Sequence, residues 1–144
     1  MTDEVNWEKR FNNEFKPAIL SKRPELAEKF NKVFKVLKGI DHRIKATMGK
    51  GISYHLAVSL FYHLLEALNI PIKGIEYKGE VLNKVSENYP IAYNIAKYTQ
   101  KLMNDEFKKI VKENEISHIA VLLTEVTGEM KKTYSNMRRE QNNA

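Results

Sequence analysis

Residues 51–70, GISYHLAVSLFYHLLEALNI, decide the fold class of this chain. Apolar side chains would cover most sides of a helix built from this stretch, and such a helix must be buried by its neighbours. Its apolar positions are Ile52, Leu56, Val58, Leu60, Phe61, Leu64, Leu65, Leu68 and Ile70. We therefore predict that this segment is the central helix of a helical bundle.

A single line of polar residues interrupts this apolar helix. With 100° per residue, Ser59 lies about 40° from His55, Tyr62 about 20° on the other side, and Glu66 about 20°. His63 lies at the edge of this line, about 80° from His55. We call His55, Ser59, Tyr62 and Glu66 the polar stripe and take it as the candidate site.

Length and composition indicate one globular domain. A chain of 144 residues buries about 70% of its extended surface, and 42% hydrophobic with 29% charged residues is typical of folded proteins. The absence of cysteine excludes disulfides and thiolate metal sites. The N-terminal MTDEVNWEKR lacks the apolar core of a signal peptide, and the apolar stretch from Leu56 to Leu68 is too short to span a bilayer. We expect a cytoplasmic protein without membrane association.

The net charge of +6 is concentrated near the N-terminus, where residues 1–50 hold 12 Lys and Arg against 7 Asp and Glu. Two interpretations follow. A basic segment is typical of a nucleic-acid-binding surface, whereas lysines mixed with Glu25, Glu28 and Asp41 are typical of a solvated helix face. The alternative function is thus a small basic helical nucleic-acid-binding protein, whose affinity would fall steeply with salt.

The first third of the chain predicts two helices. Trp7, Phe11 and Phe15 recur every four residues, which predicts a short amphipathic helix that Pro17 ends. Pro24 is placed to open a second helix, with Gly39 near its end. Its apolar positions are Leu26, Phe30, Val33, Leu37 and Ile40. Residues 41–50, DHRIKATMGK, are predicted to be a polar loop.

Beyond the central helix, residues 71–79 form a predicted turn-rich connection, and three further helices follow. A short helix carries Val81, Leu82, Val85 and Tyr89. Pro90 opens a long one, with inward positions at Ile91, Ile95, Tyr98, Leu102, Phe107 and Ile110. Asn114 is the predicted N-cap of the last helix, which buries Ile116, Ile119, Ala120, Leu123 and Val126.

No segment alternates polar and apolar residues with a period of two, so we predict an all-α protein. Its architecture is a bundle of about five core helices with an extra short N-terminal helix. Residues 1–20 are the predicted N-terminal extension, residues 21–128 the bundle, and residues 129–144 a polar tail. The aromatic residues at helical spacing, Trp7, Phe11, Phe30 and Phe34, are expected in the core.

Two stretches resemble the PTS regulation domain (PRD) family. ISYHLAVSLFYHLLEALNIPI is similar to its first signature, in which a His-Leu pair lies in an apolar helix. ENYPIAYNIAKYTQKL followed by ENEISHIAVLL is similar to its Tyr-Pro, Ala-Tyr and Ile-Ala block, which leads to a Glu-Ile pair and an Ile-Ala pair. Together with their order and spacing, these motifs extend the resemblance over about residues 25–126.

The resemblance implies a five-helix bundle, often dimeric, in bacterial regulators of sugar-use operons, including antitermination of transcription. Family members are phosphorylated on histidine by phosphotransferase-system proteins, so the implied partners are the phosphocarrier protein or enzyme IIB and a second copy of the chain. The first family histidine falls on His55, and the second falls on Leu122. The arginine usual seven residues after the first histidine is Tyr62, and the aspartate often preceding it is Tyr54. The resemblance implies no catalysis, no cofactor and no direct nucleic-acid contact.

His55 has two interpretations. Histidine ordinarily titrates near pH 6.5, so a neutral imidazole is available as a nucleophile toward phosphoryl groups. Ser59 and Tyr62 would then orient the ring or solvate the phosphoryl group. Alternatively, His55 is a buried histidine bonded to a neighbour.

The remaining titratable residues are weaker candidates. His63 is expected at a helix interface; it lies about 12 Å along the axis from His55, so the two do not share a metal, and we predict no metal site. Glu66 either accepts a hydrogen bond from His63 or a partner helix, or marks where the helix meets water. His118 lies one turn before Leu122 and would serve in place of the second family histidine. The acidic pairs Asp105-Glu106 and Glu113-Glu115 are expected on solvated outer faces.

Overall fold

The computed structural model describes residues 7–68 and 84–129, and within these ranges the chain is helical and contains no strand. The all-α prediction is confirmed. The elements are α1 (Trp7–Arg10), a π-helical segment (Phe11–Phe15), α2 (Lys16–Lys22), a 3-10 turn (Pro24–Leu26), α3 (Ala27–Met48), α4 (Tyr54–Ala67), α5 (Val85–Asn88), α6 (Pro90–Phe107) and α7 (Glu113–Thr127). Predictions for residues 71–79, for Ile70, Val81 and Leu82, and for the tail beyond residue 129 lie outside the described residues.

The four long helices of the described residues form a bundle in which each packs mainly on two others. Helix α3 packs on α4 and α6, and α7 packs on α4 and α6, with the largest contact between α6 and α7. This arrangement places α3 opposite α7 and α4 opposite α6. Among the helices that the structure describes, none is both long and apolar enough to cross a membrane.

Helix α4 is enclosed by the N-terminal residues and by two other helices of the bundle. It contacts α1 and the π-helical segment as well as α3 and α7. The prediction that it is buried on most sides is confirmed, since nearly all its apolar side chains lie in the core. Those fully buried in and just before α4 are Ile52, Leu56, Ala57, Leu60, Phe61, Leu64 and Leu65.

An aromatic cluster joins the N-terminal helices to the bundle. Phe11 lies at its centre, with ring centroids 4.9 Å from Phe15, 5.3 Å from Phe30 and 5.7 Å from Phe61. Trp7 and Phe34 complete the ring of neighbours, at 5.9 and 5.6 Å from Phe11. Contacts at these separations stabilise beyond the burial of apolar area. The N-terminal aromatics therefore share the core of the bundle.

The prediction that Pro17 ends the first helix is wrong. Helical backbone continues to Lys22, and Pro17 lies in the first turn of α2. The π-helical segment before it interrupts the regular ladder of i to i−4 hydrogen bonds. Because a proline is tolerated where such a ladder restarts, its missing N–H does not break the helix here.

The predicted polar loop at residues 41–50 is also wrong, because α3 continues to Met48. Ile40, Asp41 and Ile44 extend its buried face, while His42 and Arg43 are exposed. Gly39 lies inside the helix, where an added Cβ would come within 2.8 Å of Leu102 on α6. The helix ends at Gly49, whose φ of 77° is in the left-handed region.

Helices α6 and α7 differ from prediction at their outer residues. Ile91 and Ile110, expected to face inward, are 40% and 76% exposed. The inner face of α6 is built mainly from smaller side chains, which allow close packing on α7: Ala92, Ile95, Ala96, Thr99 and Met103. Asn114 lies within α7 and is not its N-cap, because the helix begins after Lys112. The predicted buried face of α7 is confirmed.

Glu129, two residues after the end of α7, caps the N-terminus of α6. The Glu129 carboxylate accepts hydrogen bonds from the backbone N–H groups of Ile91 at 2.9 Å and Ala92 at 2.8 Å. These are donors that a helix N-terminus leaves without intrahelical partners. Glu129, which we had assigned to the tail, is thus buried against the bundle.

Truncation of Phe11 tests the role of the aromatic cluster. We expect Phe11→Ala to lower the free energy of unfolding by about 3–5 kcal/mol, because it leaves a cavity among five aromatic rings. Urea unfolding followed by circular dichroism measures the loss. Ile110→Ala is the control, and it should change stability by less than about 0.5 kcal/mol. A loss at Phe11 as small as the control would contradict a shared core.

Candidate functional site

Two polar side chains fix the start of α4. Ser53 is the N-cap, and its hydroxyl accepts a hydrogen bond from the backbone N–H of Leu56 at 3.1 Å. Asp41 of α3 accepts a 2.8 Å hydrogen bond from the backbone N–H of Ile52. Two hydrogen bonds therefore fix the connection between α3 and α4. One joins the backbone of Ile52 to Asp41, and the other is the N-cap bond of Ser53.

The buried carboxylate of Asp41 depends on the glycine beside it. Its second oxygen lies 3.0 Å from Lys45 Nζ. A Cβ added to Gly51 would lie 2.5 Å from Asp41 Oδ1 and 2.7 Å from Lys45 Cε. Only a residue without a side chain lets the chain pass this close to the ion pair.

His55 is exposed in the first turn of α4. Its ring lies 5.7 Å from that of Tyr54, and the guanidinium of Arg10 lies 4.1 Å above the Tyr54 ring. A helix N-terminus carries partial positive charge and favours anions. The imidazole thus reaches solvent at the positive end of the helix, with a cation on the adjoining side chain.

The rest of the polar stripe follows the accessible line of α4. Ser59, Tyr62 and Glu66 are all half-buried, one turn apart. Tyr62 packs edge-on against Phe15, with ring centroids 5.7 Å apart, so its ring is fixed by the aromatic cluster. The stripe therefore runs from an exposed histidine to a carboxylate that is partly enclosed.

His63 is not part of this line, because it is only 3% exposed and faces α7. Its ring lies 5.8 Å from that of His118, which is also buried. Glu66 Oε2 lies 3.9 Å from His63 Nδ1, and Glu115 Oε2 lies 3.7 Å from His118 Nδ1. We call these four residues the histidine–carboxylate cluster.

Burial disfavours the charged forms of His63 and Glu115 by shifting the pKa of each. Burial lowers the pKa of His63 to about 4, and the positive charge of His118 acts in the same direction. Burial also raises the pKa of Glu115, as does the negative charge of Glu66, although His118 opposes the shift. His63 is therefore neutral at physiological pH.

The sequence did not predict this cluster. Glu115 was expected on a solvated face, but its side chain is only 15% exposed. Of its acidic neighbours, Asp105 and Glu113 are exposed, and Glu106 pairs with Lys35 at 3.2 Å. The sequence contained one sign of this cluster. On each of two apolar helices a His and a Glu lie three residues apart, and this spacing places the two side chains of each pair on one face.

The same contacts define the register of α4 on α7. The ring of His63 lies beside that of His118, and the charge of Glu66 is felt by Glu115. A higher residue number on α4 is therefore matched by a lower residue number on α7. The two helices are antiparallel. One turn before His63, this register puts Leu122 level with Ser59.

The model of the PRD domain family matches residues 38–126, more than half of the chain. The chain belongs to the PRD domain family. The match begins within α3 and ends within α7, so it contains α4 and the histidine–carboxylate cluster. Comparisons with curated proteins and with solved structures found no match.

Family membership indicates a regulatory role of the PTS type in carbohydrate use, because the PRD is a regulatory domain and not a catalytic one. PRD domains in general interact with phosphotransferase-system components and can dimerise. Helix α1 and the π-helical segment lie outside the matched residues, yet they contact one side of the α4 helix of this PRD domain.

The contact between Gly51 and Asp41 in this PRD domain is testable by a double-mutant cycle. We expect Gly51→Ala to lower the free energy of unfolding by about 1–3 kcal/mol, because the new methyl group displaces a buried, bonded carboxylate. In the Asp41→Ala background the same change should cost much less. Urea unfolding of the four proteins gives the coupling energy. Additive effects of the two substitutions would show that the contact does not constrain the start of α4.

Proposed function

We propose that this chain is a cytoplasmic regulatory module of bacterial carbohydrate-utilisation gene expression, acting through protein–protein interaction and through phosphorylation of His55. The observation that carries the proposal is the exposure of His55 in the first turn of α4. A phosphoacceptor must be reached by its donor, and the stripe offers this imidazole at its most accessible point. The module itself would catalyse nothing.

The chemistry requires little of the protein. A ring nitrogen of neutral His55 would attack the phosphorus of a phosphorylated phosphocarrier protein or enzyme IIB. A phosphorus–nitrogen bond forms as the bond to the donor side chain breaks, and the donor leaves with the electron pair. Ser59, one turn further along the stripe, and the Tyr62 hydroxyl would hydrogen-bond the transferred group.

Local electrostatics support holding the product at this position. Phosphorylation adds about −1.5 to −2 charges at pH 7. The N-terminal end of α4 stabilises such a charge, and Arg10, which also pairs with Glu14 at 2.8 Å, lies beside Tyr54. His118 is a poorer acceptor, because it is buried against His63.

The added charge would act on an association surface. Val58 and Tyr62 are half-buried beside His55 and Ser59, so this side of α4 offers both apolar and polar contacts. We propose that it meets a second copy of the chain in a homodimer. A doubly negative group next to an apolar contact changes the free energy of that association, which is how such switches act.

Phosphotransfer with a reconstituted system tests the acceptor. Incubation with phosphoenolpyruvate, the general phosphotransferase enzyme, the phosphocarrier protein and enzyme IIB should add one phosphoryl group per chain, detected by intact-protein mass at neutral pH. His55→Ala should abolish the addition. His42→Ala is the matched control, because His42 is equally exposed but lies on α3.

Acid treatment separates the possible acceptors, since a phosphohistidine is lost in acid whereas a phosphoserine on Ser59 persists. Light scattering of the same samples reports whether the dimer mass changes on phosphorylation. An unchanged wild-type mass, or labelling that survives His55→Ala, contradicts the assignment of His55.

The nucleic-acid alternative has less support from the contacts of the basic residues. Five cationic side chains in the described part of the N-terminal third lie over aromatic rings of the same chain: Arg10, Lys16, Lys32, Lys38 and Arg43. Lys35 and Lys45 pair with carboxylates. Many of the Lys and Arg side chains in residues 1–50 are therefore already engaged in contacts within the chain. A salt-dependent affinity for RNA or DNA would favour this alternative over the first proposal.

A further inference from the structure

The histidine–carboxylate cluster brings metal-ligand atoms together from two helices. His63 and Glu66 lie three residues apart on α4, and Glu115 and His118 lie three residues apart on α7. The antiparallel packing places these two pairs face to face. One ligand atom each from His63, Glu115 and His118 lies within 4.8 Å of the other two.

The carboxylates provide an independent observation. Glu66 Oε2 and Glu115 Oε2 are both fully enclosed and accept no hydrogen bond from the described residues. Two enclosed carboxylate oxygens that repel each other are costly, because a buried charge needs a counter-charge or a ligand. A cation between the helices would meet this requirement for both carboxylates, whereas a protonated His118, 3.7 Å from Glu115, would serve only one of them.

We propose that α4 and α7 together bind one divalent transition-metal ion of the Zn²⁺ class, with His63, Glu115 and His118 as ligands and Glu66 as the fourth. The sequence had predicted no metal site, because that prediction considered only pairs on one helix. The spacing of His55 and His63 remains unsuitable, whereas the pairing of α4 with α7 supplies a different set.

The geometry requires only small side-chain movements. Zinc is bound by imidazole nitrogen and carboxylate oxygen at about 2.0–2.2 Å, so tetrahedral ligand atoms lie about 3.4 Å apart. The largest separation here, 4.8 Å, closes by adjustment of the glutamate and imidazole torsions. The rings of His63 and His118 already lie side by side across the interface, with centroids 5.8 Å apart.

The donor set defines the class of ion. Imidazole and carboxylate together suit zinc, cobalt, nickel, iron and manganese, and the absence of thiolates disfavours copper(I). Ca²⁺ and Mg²⁺ prefer sites built from oxygen alone.

This site is separate from the proposed phosphoacceptor. His63 lies eight residues from His55, which is about 12 Å along α4. Bound metal would connect α4 to α7 near the C-terminal end of α4, while His55 lies at the opposite end. The proposal is therefore tested on unphosphorylated protein and does not depend on the function of His55.

Metal titration of chelator-treated full-length protein tests the site. Isothermal calorimetry with ZnCl2 should give one ion per chain, and the melting temperature should rise with added zinc. Glu115→Gln, which keeps the shape of the side chain, and His118→Asn should each weaken zinc binding by at least about 100-fold. MgCl2 should produce neither heat nor a shift in melting temperature.

The four histidines offer a matched control, since two are exposed and two lie in the cluster. His42→Ala combined with His55→Ala removes the exposed pair and should leave zinc binding unchanged. Where a buried variant fails to fold, Glu66→Gln and the absorption spectrum of the wild-type protein with Co²⁺ supply the test, since four-coordinate cobalt gives intense visible bands. Absence of binding by the wild-type chain, or binding lost only in the surface double variant, would overturn the proposal.

Discussion

The burial of α4 is the constraint on which the rest of the structure depends. The helix contacts α3, α7 and the N-terminal segment, so most of its surface is closed by protein. A helix this apolar is stable only in such a position. Each polar residue on it must then either lie along the narrow accessible line or find compensation inside the core. The stripe and the histidine–carboxylate cluster are these two outcomes.

The two sides of α4 make opposite contributions to stability. Phe61 enters the aromatic cluster, where its ring lies 5.7 Å from Phe11 and 5.1 Å from Phe30. His63, two residues later and about 200° around the helix, enters a polar interface instead. Burying its imidazole beside carboxylates costs free energy. The apolar packing on the aromatic side offsets that cost, which lets the fold retain a polar cluster in its interior.

The periodicity of apolar residues predicted correctly those helices whose buried face is continuous in the sequence pattern. The helical character of α4, its burial, and the buried face of α7 followed from the spacing of apolar residues. The end of α3 did not, because the dense charges of residues 41–50 lie on its outer face while Ile44 and Asp41 stay buried. Similarly, the cluster depends on which helix meets α4. Spacing within one helix contains no information about that pairing, so Glu115 was assigned to the solvent.

The separation of the two proposed sites limits how they would influence each other. At physiological ionic strength, charges separated by more than about 8 Å through solvent are largely screened. A phosphoryl group on exposed His55, about 12 Å from His63, would therefore act on the cluster only weakly by direct electrostatics. Any stronger coupling has to pass through the packing of α4 against α7. Leu122 lies level with Ser59 in this register, and it occupies the position at which the resemblance places the second family histidine. The phosphorylation that we propose would therefore place a single charge at one end of α4, and not a pair of facing phosphohistidines.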